Sequence, residues 1–398
     1  MSSSPRVNIA VLSAGRDKAY ALGLASGLLE KRIPFEFLGS DLVDSTFLHD
    51  SPLVTFRNLR GDQSEDASLH RKGVRVLRYY RNLLTYAVKA KPTLFHILWN
   101  NKFEWFDRTL LTLFYRLCGR VLVFTAHNVN IGNRDGNDSA LNRLTLKIQY
   151  RLVHHVFVHT QQMADALQKE FCVPKEKITV IPFGMDRLPD TTLTREAARA
   201  KLGLNPQEKV LLFFGNIAPY KGLEYLIQSM GELAADGQSY KLLVAGHLKC
   251  TPEYWKGIEE ATAKLGLDSS VSFRIAWIPD EETEWYFKAA DVLVLPYTYI
   301  FQSGVLFLGY SFGLPVLAAD VGSLREDIVE GKTGFVFRPR DPKDMARAIR
   351  TFFDSDLYRD LAQRRPQIRA FASERHSWSK VAELIEDVYT RLIQPNHR

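Results

Sequence analysis

The stretch Leu295-Pro-Tyr-Thr-Tyr-Ile-Phe-Gln-Ser-Gly-Val-Leu-Phe-Leu-Gly-Tyr-Ser-Phe-Gly-Leu-Pro-Val316 spans one β-loop-α-β unit. The apolar run Asp291–Leu295 ends at Pro296 as a buried strand, a polar loop closes at Gln302-Ser303-Gly304, and 305–312 predicts a helix. Gly313 is placed as its C-cap, and Pro315 precedes the next strand. Strands joined by a crossover helix run parallel, with helices covering both faces of the sheet. The first turn of such a helix offers unpaired amides and partial positive charge, which suit an anion.

The same rhythm extends outward from this unit. In the second half, 209–214, 241–245, 315–319 and 335–337 are apolar runs ending in breakers; in the first half, 7–12, 35–38, 94–98, 121–125, 155–159 and 178–181 behave likewise. Between them, Pro182-Phe-Gly-Met-Asp-Arg-Leu-Pro189 is rich in breakers and predicts a linker. A chain of 398 residues has room for two domains. The reading is therefore α/β, two doubly wound domains facing a cleft, with boundaries at 1–187 and 188–377 and a last segment, 378–398. Open sheets of this kind bind ligands beyond the carboxyl ends of their strands.

Composition narrows the class. An apolar fraction of 46% excludes disorder, and three cysteines exclude a disulfide scaffold. So sparse a set points to a reducing compartment. The start shows no secretory pattern, and no stretch approaches the ~18 apolar residues of a membrane span. A cytoplasmic protein is expected. Residues 1–190 carry 26 Lys+Arg against 18 Asp+Glu and residues 191–398 carry 26 against 27, so an anion-seeking surface belongs to the first half. The modest excess and the lack of a nucleic-acid module argue against a nucleic-acid partner.

Phe213-Phe-Gly-Asn-Ile-Ala-Pro-Tyr-Lys-Gly222 is a strand, a glycine turn and a lysine opening a helix. There Gly215 admits close backbone approach, and Lys221 brings a point charge to a helix start. Together with Gln302-Ser-Gly-Val-Leu306, Phe312-Gly-Leu-Pro-Val-Leu-Ala-Ala-Asp-Val-Gly322, Gly331-Lys-Thr-Gly-Phe335, Val180-Ile-Pro-Phe-Gly-Met-Asp186 and Thr125-Ala-His-Asn128, this segment resembles glycosyltransferase family 4, retaining enzymes of the GT-B fold. The matching order covers nearly the whole chain.

The resemblance implies two Rossmann-like domains, the first binding the acceptor and the second a nucleotide-diphosphate sugar. It also implies that the terminal helix, 378–393, crosses back to the first domain. Residue by residue, it places Lys221 on the donor phosphate, Gly304 and Val305 as the amides contacting that phosphate, and Phe301, Gln302 and Ser303 beside the donor sugar. Gly215 and Asn216 fall in the donor loop, Gly15 in the first strand-to-helix loop, and His127 near the reacting centre. The implied chemistry is same-face transfer in which the leaving phosphate takes the acceptor proton, with neither metal nor cofactor. Two departures stand out. The paired glutamates of the family fall on Ile300 and Leu308, and its phosphate-binding arginine on Asn216 or Ala218. Two readings therefore stand: a transferase with rebuilt donor contacts, or a noncatalytic scaffold that has lost donor use.

For the acceptor, residues 71–91 predict an amphipathic helix. Arg71, Arg75, Arg78 and Lys89 lie within about 40° of one line, with Leu77, Tyr80, Leu84 and Val88 opposite. A charged solvent face explains this; so does contact with an anionic membrane, at about 1 kcal/mol per basic residue. Peripheral attachment to the inner face of the plasma membrane, serving a lipid-linked or polysaccharide acceptor, is the expectation. Trp99, Asn100, Asn101 and Trp105 follow a strand and combine flat apolar rings with amides, a pattern that grips sugars. His155 and His159 share a strand face, but a buried strand explains them better than zinc does. Gly331-Lys-Thr-Gly334 ends like a P-loop yet has Glu326 where the first glycine belongs.

Overall fold

The computed structural model describes residues 8–14, 17–63, 68–130, 132, 138–185 and 192–393. The chain divides into one compact unit of residues 1–186 and 376–398 and a second of residues 187–375. The predicted boundary at 187/188 falls outside the described residues, as does the second half of the linker, 186–189.

In the first unit the described strands are β1 (Ile9–Leu12), β2 (Phe35–Gly39), β3 (Val54–Asn58), β4 (Leu94–Ile97), β5 (Val121–Thr125), β6 (His155–Val158) and β7 (Ile178–Val180). They form one parallel sheet in the order β3-β2-β1-β4-β5-β6-β7. The second unit holds β8 (Val210–Phe214), β9 (Lys241–Gly246), β10 (Val271–Ile275), β11 (Val292–Leu295), β12 (Val316–Ala319) and β13 (Gly334–Phe337), parallel in the order β10-β9-β8-β11-β12-β13. Both sheets reverse winding beside their first strand, between β1 and β4 and between β8 and β11. Loops leaving these strands diverge there and open a crevice.

Sequence periodicity missed β3 and β10. Both are edge strands, Val-Thr-Phe-Arg-Asn and Val-Ser-Phe-Arg-Ile, with most side chains half-buried or exposed. An edge strand need not be apolar on both faces, so it lacks the continuous apolar run that marks central strands.

The helix Trp378–Ile393 belongs to the first unit and packs on the helix Lys18–Glu30 through Val381, Ile385 and Val388. The approach is close enough that a Cβ on Gly27 would lie 2.3 Å from the Trp378 carbonyl oxygen. One polar anchor joins this helix to the sheet: His96 in β4 bonds the Tyr389 hydroxyl at 2.5 Å and Thr125 Oγ1 at 2.7 Å. Burial pushes the His96 pKa down to about 3, so the ring is neutral at physiological pH.

Candidate functional site

In the second unit, four chain segments converge beyond β8 and β11. Gly215 ends β8 at φ +96°, a left-handed conformation that favours glycine, and its amide donates to the Ala245 carbonyl. A Cβ at Gly215 would lie 3.2 Å from Lys221 Nζ and 3.5 Å from Val305 Cγ2, so the ammonium group sits at this turn. Lys221 lies on a single 3-10 turn, Pro219–Lys221, and is only 5% exposed. Its Nζ stands 5.1 Å from the centroid of the Tyr297 ring. The Tyr297 hydroxyl in turn bonds Ser303 Oγ at 3.1 Å. Ser303 is the N-cap of the helix Gly304–Ser311 but makes no side-chain cap bond, so its hydroxyl does not occupy the first-turn amides. A cation and helix amides left free by the Ser303 side chain give this turn the positive charge that suits an anion.

The neighbouring predicted residues fall around it. Asn216 is half-buried beside Gly215, and Gly304 is exposed. Val305 and Leu308 are half-buried on one side of the helix, whereas Leu306, Phe307 and Tyr310 point into the core. The Phe301 carbonyl accepts from the amide and hydroxyl of Ser323, each at 2.9 Å. The side chain of Gln302 bonds the Asp327 carboxyl, while its Oε1 is buried without a hydrogen-bond partner. Burial raises the Asp327 pKa to about 7, against which the Gln302 bond acts.

In the first unit, the loops after β4, β5 and β6 and the starts of the helices Lys18–Glu30 and Trp378–Ile393 gather an aromatic cluster. His127 stacks on Trp99 with centroids 4.4 Å apart and planes 8° apart, and meets the edge of Tyr20 at 4.4 Å. Tyr20 also packs edge-on against Trp378 at 4.9 Å. His127 Nδ1 and His159 Nε2 are 3.1 Å apart, one donating to the other, and His127 Nε2 is left without a hydrogen bond. Burial, then the nearby His159, holds the His127 pKa well below the usual value; burial lowers that of His159 to about 4. Both rings are therefore neutral at pH 7. When His159 donates, the proton of His127 sits on Nε2, an atom closed off from solvent. Gly15 lies outside the described residues.

The residues predicted for the acceptor separate into different roles. Trp99 is half-buried in the aromatic cluster. Asn100 exchanges two amide bonds with Gln149, at 3.2 and 2.7 Å. Asn101 is buried, accepting from the Tyr79 hydroxyl at 2.7 Å and donating to Asp107 at 3.2 Å. These two amides hold the loop in place rather than facing outward. Trp105 is 59% exposed and is not among the ring contacts of Trp99.

The helix Leu69–Lys89 buries Tyr79, Tyr80, Leu83, Tyr86 and Ala87. Leu77 and Val88, expected on the apolar side, are 70% and 63% exposed and share the outer face with Arg78 and Lys89. Arg71 is exposed near the helix start. Arg75 departs from the outward basic line: it pairs with the Asp62 carboxylate at 2.7 Å. Arg60, Lys72, Arg75, Tyr79, Tyr80 and Lys102 line a cavity of about 370 Å³. Arg60 also donates to the Ala14 carbonyl, which links this cavity to the loop after β1. No group of three or more His, Cys, Asp or Glu side chains placed to hold a metal occurs among the described residues. His155 bonds Thr179 Oγ1 at 2.9 Å, a different partner from that of His159. No described helix is long and apolar enough to cross a membrane.

Comparison with known proteins connects these halves. The family model for glycosyl transferases group 1 matches residues 194–368, and that for Glycosyltransferase Family 4 matches residues 19–187. The chain belongs to glycosyltransferase family 4. D-inositol 3-phosphate glycosyltransferase of Streptomyces avermitilis is 31% identical over 254 residues, covering 61% of this chain and 53% of that protein. The chain thus spans about half the length of this curated relative. Among solved structures, sucrose-phosphate synthase from Thermosynechococcus elongatus aligns with a TM-score of 0.74 at 21% identity, covering 97% of this chain and 99% of that one. Anabaena HepE, solved in complex with UDP-glucose, aligns at 0.71 and 18% identity, covering 96% and 99%. These likenesses establish the GT-B fold.

Against the family pattern, the residues the motifs did not reveal are Tyr20, His159, Tyr297, Asp327 and Trp378. Each reads in sequence as ordinary core or loop; only the folded chain sets Tyr297 under Lys221 and Trp378 beside Tyr20. The Gln302-to-Asp327 separation likewise has no periodic signature.

Proposed function

We propose that this family 4 protein is a retaining glycosyltransferase that needs no metal ion. It moves a sugar from a nucleotide-diphosphate donor to a lipid-linked or glycan acceptor. The observation that carries this reading is the placement of Lys221 Nζ at the Gly215 turn, beside an uncapped helix start. A diphosphate at this turn gains charge-assisted hydrogen bonds worth about 1.5–3 kcal/mol each. That charge balances the leaving group without a divalent cation. The UDP-glucose complex of HepE supports a nucleotide-sugar donor. The leaving phosphate takes the acceptor proton on the same face. Neutral His127, stacked on Trp99, helps shape the pocket that orients the sugar and does not act as a nucleophile. Gly304 and Val305 supply amides, and Phe301, Gln302 and Ser303 border the sugar.

On the acceptor side, Trp99 offers a ring face and Asn100 and Asn101 fix its loop. The Arg60–Lys72–Lys102 cavity supports an acceptor that carries phosphate, as a lipid-linked sugar does. Docking on an anionic membrane is supported by Arg71, Arg78 and Lys89 next to exposed Leu77 and Val88. Further support comes from Leu110, Leu113 and Leu117, which stand exposed at spacings of three and four on an adjoining helical stretch. A thermal-shift screen across uridine, guanosine, adenosine and thymidine diphosphates and their sugars tests the donor. Stabilisation by one nucleotide series, abolished in Lys221→Ala, is expected. Indifference to every nucleotide would favour the scaffold reading that Leu308 keeps open.

A further inference from the structure

At the opposite end of the second sheet from Lys221, before β8 and β11 begin, lies a cavity of about 810 Å³. The length of β8, five residues, separates the two regions by roughly 15 Å. Charge dominates the cavity. Asp291, fully buried, accepts from Arg195 at 2.7 Å, from Arg199 at 2.9 Å and from the Val210 amide at 2.8 Å. Those three donors occupy both of its oxygens. Arg199 is also spent on carbonyls, donating to Ala289, Asn205, Pro206 and Glu208.

Arg365 adds a further guanidinium, donating to the carbonyls of Phe287 and Ala290. Burial lowers its pKa to about 10. Asp291 opposes that effect, while Arg195, Arg199 and Arg369 reinforce it. Three guanidiniums, those of Arg195, Arg199 and Arg365, thus face one buried carboxylate, with Arg369 beside Arg365. On Arg195, the Nε is buried with no hydrogen-bond partner. The rest of the Arg195 side chain is one third exposed, and the guanidiniums lining the cavity outnumber its carboxylates, a balance that attracts an anion. Phe312, Tyr358 and Pro366 supply apolar wall.

We propose that this cavity binds a phosphate-bearing small molecule through Arg195, Arg365 and Arg369. Its volume suits an organic phosphate of nucleotide or sugar size. Planar guanidiniums grip phosphate oxygens in pairs. Glu196 at the rim weakens the attraction. The site is separate from the donor-phosphate turn and does not depend on glycosyl transfer.

The test is isothermal titration calorimetry on full-length Lys221→Ala, which removes the donor ammonium, with fructose 1,6-bisphosphate and inorganic phosphate as probes in chloride buffer. Binding of one equivalent is expected, tighter for the bisphosphate if the site takes an organic phosphate and equal per phosphate if it takes the free ion. Adding Arg369→Glu should weaken binding at least tenfold, and adding Glu196→Gln should tighten it two- to threefold. The second variant removes a charge from an exposed residue and keeps the test decisive should the reversal unfold the chain. Absence of binding in Lys221→Ala, or affinity indifferent to both changes, overturns the proposal. UDP binding by the single Arg369→Glu variant should match the wild type, so failure of the donor reading would be seen separately.

Discussion

Replacing Lys221 by Met exchanges an ammonium group for an apolar chain of similar length. The residue is 5% exposed and lies against Tyr297, so a thioether finds a ready apolar seat. The folded protein loses a cation–π contact of about 0.5–2 kcal/mol but is relieved of a desolvated charge. These terms oppose each other, and net stability should move by no more than about 1 kcal/mol, or roughly 2–4 °C in melting temperature. The nucleotide diphosphate, in contrast, loses its charged partner. A charge-assisted bond of about 1.5–3 kcal/mol corresponds to a roughly 10- to 150-fold weaker complex. Calorimetric titration with UDP or the preferred nucleotide, beside thermal melts of both proteins, measures the two effects together. A dissociation constant within threefold of wild type would show that Lys221 does not face the phosphate. A collapse in melting temperature accompanying lost binding would show instead that the lysine is structural.

Leu308→Glu restores a carboxylate on the half-buried side of the helix that also carries Val305. Uridine diphosphate should bind about tenfold or more tightly, with a smaller gain for thymidine diphosphate, which has one ribose hydroxyl fewer; equal gains in calorimetry would count against a ribose contact there. Acid should destabilise the first unit. The folded pKa values of His96 and His159, about 3 and 4, lie below the unfolded 6.5, so their contribution is complete above pH 6.5 and drains away as pH falls toward 4. At pH 5 each ring costs about 2 kcal/mol, and melting temperatures that stay level from pH 7 to 5 would contradict their burial as neutral groups. In liposome sedimentation, anionic vesicles should capture more protein than neutral ones, and Leu113→Ser with Leu117→Ser should release it; equal partitioning would end the membrane reading.

Much of the architecture was legible before folding was considered. Central strands such as Val121–Thr125 and Val292–Leu295 are buried on both faces, so their sequences are largely continuous apolar runs, and breakers such as Pro296 after β11 and Gly215 after β8 mark where the strands end. Local chemistry likewise makes Gly215, Lys221 and Ser303-Gly304 readable, because a turn needing positive φ and a helix start each leave a signature within a few residues. The edge strands and the outward turn of Leu77 and Val88 were not readable: whether one face of an element is covered depends on which distant segment packs there. The same holds for Arg75, which the helical wheel aims outward and Asp62 draws inward. Stacking of His127 on Trp99, the commitment of Asn101 to Tyr79, and the convergence of Arg195, Arg199 and Arg365 on Asp291 join residues separated by up to 170 positions. Periodicity and capping act over one or two turns of chain. Contacts across a sheet or between helices are set by the packing of whole elements, and only the tertiary structure specifies them.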